Sequence, residues 1–137
     1  MISVTAVTDN YILQAPLLQK HKHTLEWLSA AVLWKRELAF FQKLLDRYAP
    51  QIKEPDDRKR LEHFQNVVIY YRYELIDKLT GQLRLHEKKL AEMLETKDET
   101  KVEYFKEHEG LMNELQALSD QFAQNKSALY SFIEAFM

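Results

Sequence analysis

Cysteine is absent, and only two glycines and three prolines occur in 137 residues. Without cysteine the chain has no disulfide, no thiolate nucleophile and no thiolate-bound zinc or iron–sulfur cluster. Two isolated glycines cannot build a glycine-rich phosphate loop. So few turn residues do not suffice for a β-sandwich or barrel, whose strands break at turns about every 8–12 positions. A basic surface is also missing. Lys and Arg number 19 against 21 Asp and Glu, for a net charge of −2 and a pI near 6.2. Nucleic-acid binding therefore has no electrostatic footing. No uncharged apolar run approaches the roughly 18 residues of a membrane span. The first nine residues lack the basic start and apolar run of a signal peptide. A cytoplasmic protein with neither membrane nor nucleic-acid partner is the expectation.

What is present is helix. Hydrophobic residues make up 46% of the chain, enough for a packed core and too much for wholesale disorder. Residues 1–16, rich in Thr and Val and ending in Pro16, read as a short extended arm. Pro16 also suits a first helical turn, where its missing N–H costs nothing. The rest, 17–137, reads as three helices over about 17–49, 56–95 and 98–136. Pro50 and Pro55 bracket the first loop, and Asp56 and Asp57 place acids at a positive helix N-terminus. Thr96-Lys97-Asp98-Glu99 fits a capping box that starts the third helix.

Each helix carries an apolar seam. The third runs His108, Leu111, Leu115, Leu118, Phe122, Asn125, Leu129, Phe132, Phe136, alternating spacings of three and four, a coiled-coil period. The second runs Leu61, Phe64, Val68, Tyr71, Leu75, Leu79, Leu83, His86, Leu90. Its repeated fours after Tyr71 read as a stutter. The first runs Leu17, His21, Leu28, Ala31, Leu38, Phe41, Leu45, Tyr48. Short loops make neighbours antiparallel. Bends near residues 52–53 and 96–97 then set Phe64 opposite Phe41 and Leu129, Tyr71 opposite Trp34 and Phe122, and Leu75 beside Ala31 and Leu118. The expected fold is all-α: an elongated antiparallel, up-down-up three-helix bundle with coiled-coil-like packing. Charge agrees with first and third helices lying side by side. The first has six Lys or Arg against three Asp or Glu, the third has three against eight.

Three features could carry function. His21, His86 and His108 occupy seam positions at similar height, and facing imidazoles are a common way to hold Zn or Fe inside a bundle. Glu107 or His23 could complete such a site. No Glu-x-x-His or His-Glu-x-x-His spacing accompanies them, which separates the chain from ferritin-like di-iron bundles and zincins. Gly81 and Gly110 face each other in the same register and suggest close backbone approach or room for an apolar ligand. Leu33 and Phe40 interrupt the polar row Lys22, Glu26, Ser29, Arg36, Lys43, Arg47, while Ile69 and Tyr73 lie opposite the seam of the second helix. An apolar patch outside a core marks a partner surface. These four residues point to a homodimer, with the chain's own N-terminal arm or a different protein as the alternative cover, and to a non-enzymatic interaction or assembly module. A metal-binding bundle at His21, His86 and His108, and an apolar-ligand carrier near Gly81 and Gly110, are the alternatives.

Overall fold

The computed structural model describes residues 15–96 and 102–137. It is all-α, with no strand among the described residues. Helix α1 covers Ala15–Tyr48, a 3-10 turn follows at Ala49–Gln51, and α2 covers Pro55–Tyr70. A π-helical turn, Tyr71–Leu75, joins α2 to α3 at Ile76–Glu95, and α4 covers Val102–Glu134. No helix among the described residues is long and apolar enough to cross a membrane. The arm expected over 1–16 lies outside the described residues except at its end. There α1 has already begun at Ala15, with Pro16 in its first turn, where no N–H is needed. The capping box expected from Thr96 lies outside them beyond Thr96 itself. The Thr96 hydroxyl instead bonds backward, to the carbonyls of Glu92 and Met93. It thus closes α3 by donating to Met93 O near the C-terminus and doubling the bond on Glu92 O, which also accepts the Thr96 N–H at 3.0 Å.

The first loop is built as its prolines require. Ile52 is fully buried, and its N–H donates to Ala49 O at 3.1 Å. Glu54 is extended before Pro55, which opens α2 with Asp56 and Asp57 in its first turn. Arg58 reaches back to donate to Ile52 O at 2.8 Å and clasps the loop to the helix.

The second helix departs from the expected stutter. The Ile76 N–H bonds to Tyr71 O, five residues back rather than four. One extra residue is thus inserted between buried Tyr71 and buried Ile76, and Leu75, expected in the seam, is only half-buried. Continued spacings of four would carry an apolar stripe slowly around a regular helix. The wide turn takes up that drift in one step and returns Leu79, Leu83 and His86 to the core.

The chain divides into two compact units. One takes the residues up to Ala31 together with Leu79–Gln116; the other takes Val32–Lys78 and Ala117–Met137. In the first, Leu17, Leu90, Met93, Leu94 and Tyr104 form an apolar cluster with Phe105 against it. In the second, aromatic rings dominate. Trp34 meets Phe122 edge-on at 5.7 Å, Tyr71 lies 6.1 Å from Phe122, and Phe64 5.3 Å from Phe132. Phe41, Phe64 and Leu129 line one narrow void of about 10 Å³, roughly the room of one water probe. Asn125, a polar break in the α4 seam, donates its Nδ2 to the Tyr71 hydroxyl at 3.1 Å.

Candidate functional site

Two groups of side chains stand out, one in each unit. In the unit containing Val32–Lys78, all four residues of the expected interface are exposed although large and apolar. Leu33 is 58% exposed, Phe40 54%, Ile69 45% and Tyr73 55%. Val32 and Tyr70 are exposed beside them. Leu33 and Phe40 recur at seven residues on α1 and therefore share a face. Tyr73 sits on the π turn itself, and such turns often mark functional positions in helices. Its ring is covered on one side by the Arg72 guanidinium at 4.9 Å. Arg72 in turn donates to Gln42 Oε1 at 2.6 Å, and Lys35 pairs with Asp77 at 2.5 Å. These two bonds tie α1 to the π turn and to the start of α3 within this unit, so the turn is held rather than frayed.

In the other unit the three seam histidines are all buried: His21 and His86 are wholly inaccessible and His108 nearly so. His86 and His108, without His21, belong to a hydrogen-bonded chain. Lys89 donates to Glu107 Oε2 at 2.6 Å. Glu107 Oε1 lies 3.2 Å from His86 Nδ1, and His86 Nε2 lies 2.8 Å from His108 Nδ1. The acceptor end assigns the tautomers. An ionised Glu107 can only accept, so His86 donates from Nδ1 and its Nε2 is a lone pair. His108 must then donate from Nδ1, which leaves His108 Nε2 as a lone pair, buried with no partner. Tyr104 lies flat on His86 at 4.3 Å, and His23 stacks on His108 at 6.1 Å.

A second buried pair sits in the same unit. Glu87 Oε2 approaches His21 Nδ1 to 2.6 Å, with both residues inaccessible. Burial raises the Glu87 pKa, and His21 only partly offsets it. Burial lowers that of His86, against the pull of Glu107. His108 falls to about 4, first through burial and then through the neighbouring charges of His86, Lys20 and His23. Glu107 would rise with burial, but its bonds from Lys89 and His86 bring it below the usual carboxylate value. Burial pushes the Tyr104 phenol well up. The downward shifts of His86 and His108 favour the uncharged imidazoles that the hydrogen-bond chain requires, and that of Glu107 favours the carboxylate that accepts from His86.

As a metal centre the layer is poorly disposed. Both ring nitrogens of His86 are engaged, one by Glu107 and one by His108. Among the described residues no three His, Cys, Asp or Glu side chains are grouped to hold an ion. The glycine pair also differs from expectation. A Cβ at Gly81 or Gly110 would meet nothing within 4 Å, so neither position is required by close approach, and both are exposed. Gly110 borders a surface groove of about 360 Å³ whose walls include Gln82, Glu107 and Glu114. Leu85 and Leu111 complete its walls, and Gly81 does not line it, so the two glycines do not bound one pocket.

Sequence reasoning missed Glu87 and Tyr104 as buried polar residues, and the π turn. The repeated fours in the second seam were the available signal for the turn. Burial of two successive residues, His86 and Glu87, had no signal of its own. No protein-family model, curated protein or solved structure matches the chain.

Proposed function

We propose that this protein is a non-enzymatic, cytoplasmic assembly module that self-associates through the apolar face of its second unit. The observation that carries this reading is the half-exposure of Leu33, Phe40, Ile69 and Tyr73 on two helices of one unit. Fully withdrawing a large apolar side chain from water contributes about 1.5–3 kcal/mol, and a half-exposed one roughly half of that. Four such groups supply the apolar centre of an interface of about 800 Å² per partner, with a polar rim around it. A net charge of only −2 leaves little repulsion between copies.

The unit is an antiparallel, up-down-up three-helix bundle with coiled-coil-like packing in this reading. Contacts within it support that. Phe64 meets Phe132 and Tyr71 meets Phe122, so numbers fall on α4 as they rise on the second helix. Trp34 meets Phe122 and Phe41 meets Tyr130, so numbers on α1 and α4 rise together. With the seams turned inward, the α1 row through Leu33 and Phe40 is left for a partner.

Size-exclusion chromatography with light scattering tests the reading. The wild type should give twice 16.4 kDa at micromolar concentration, and Phe40→Asp should give the single-chain mass with unchanged helical circular dichroism. A wild type that stays at one chain's mass up to about 100 µM overturns it. The apolar face would then have some other cover, such as the segment before Ala15 or a different protein.

A further inference from the structure

The exposed face carries charge as well as apolar groups, and the two helices differ in sign. On α1 the row is Leu33, Arg36, Phe40, Lys43, with both cations exposed. Across the π turn the exposed row is Glu62, Ile69, Tyr73, Asp77. Two bonds within this unit fix which residues stand level. Lys35 pairs with Asp77, and Gln42 accepts from Arg72. Each step up α1 is matched by a step down the neighbouring chain. Arg36 is therefore level with Asp77, and Phe40 with Tyr73, to within a turn.

These levels restrict how a second copy can sit. A two-fold axis lying in the interface and along α1 keeps every residue at its own height while it exchanges α1 for the neighbouring helix. Such an isologous contact makes each pairing occur twice. The alternative axis, across the helices, would set α1 on α1 and oppose cation to cation. Like charges brought together at an interface are strongly disfavoured.

We propose that two copies pair about the axis along α1, with Phe40 against the partner's Tyr73 and Arg36 opposite the partner's Asp77. This rests on the self-association reading and specifies its geometry. The π turn has a part in it, because it presents Tyr73 outward while Tyr71 stays in the core. The Arg72 guanidinium over one face of the Tyr73 ring holds that ring, and the incoming Phe40 would meet the other face. Asp77, although paired with Lys35, is 55% exposed and open to a second cation.

Charge reversal tests the pairing by sedimentation equilibrium at low salt. R36E alone brings two acids together at each contact, and D77R alone brings two cations together. Each should weaken the dimer at least tenfold, and each should keep the wild-type melting temperature within a few degrees. An equimolar mixture of R36E and D77R restores opposite charges at both contacts, and should recover the wild-type dissociation constant to within about threefold. The R36E/D77R double variant should recover it alone. A wild-type dimer whose affinity neither reversal changes overturns the pairing and leaves self-association intact. Weakening without recovery in the mixture also overturns it, since the reversals then act through something other than each other. A monomeric wild type overturns the pairing and the self-association reading together.

Discussion

His108 shows how much one buried nitrogen decides. Its Nδ1 proton serves His86, and its Nε2 lone pair has no donor. A proton arriving there would create a cation among Lys20 and His23 of α1, His86 of α3, and Tyr104 and Glu107 of α4. The folded state resists this, with a pKa near 4 against the ordinary 6.5. Between those values the unfolded chain binds a proton that the folded chain does not. Stability is therefore full above about pH 6.5 and falls as pH drops toward 4. His86 and Glu107 are shifted downward as well and act in the same direction. Glu87, shifted upward, acts oppositely, gaining as it is neutralised. Urea unfolding should show a loss of about 2 kcal/mol from the His108 shift on going from pH 7.5 to pH 5. His108→Phe should flatten that slope. An unchanged slope would mean that His108 does not bring the acid sensitivity. In the other unit, Phe64 is 6% exposed and packed on Phe132. Phe64→Ala should cost about 3–5 kcal/mol in thermal or urea unfolding, and a cost below about 1 kcal/mol would place its ring outside the core.

At the scale of elements, the helices were readable because seam residues recur at three and four. Leu38, Phe41 and Leu45, or Leu115, Leu118 and Phe122, are buried as that period requires. The pairing of Tyr71 with Phe122 was also readable, since loop length fixes register once the seam is known. The π turn was not. Repeated spacings of four admit either gradual drift or one inserted residue, and only the Ile76 N–H to Tyr71 O bond decides between them. Leu75 and Ile76, adjacent and both apolar, could each have filled the core place. The exposed face was legible from Leu33 and Phe40 breaking a polar row. The hydrogen-bond polarity of the histidine layer was not legible, because it depends on which ring nitrogen meets Glu107. Deleting Glu74 should convert the wide turn to regular helix, since Ile76 would then follow Tyr71 by four. Helical circular dichroism should be retained and stability should change by no more than about 1 kcal/mol, because the extra residue fills no core place. Self-association should weaken, because Tyr73 would be presented at a different angle. Retained affinity in light scattering would show that the turn has no part in the contact.

For the whole molecule, the two units divide the notable features between them: a buried, uncharged imidazole layer in one and an exposed apolar face in the other. Among the described residues no three His, Cys, Asp or Glu side chains are grouped to hold an ion, and the exposed apolar face asks for a partner. The central claim is that this partner is a second copy. Isotope-filtered NOE spectroscopy on an equimolar mixture of labelled and unlabelled chains tests it directly, because only contacts between copies give signals. The account predicts cross-peaks between copies from the Phe40 and Tyr73 rings and from the methyl groups of Leu33 and Ile69. Absence of those signals at concentrations of several hundred micromolar would contradict it, as would intermolecular signals confined to residues of the other unit.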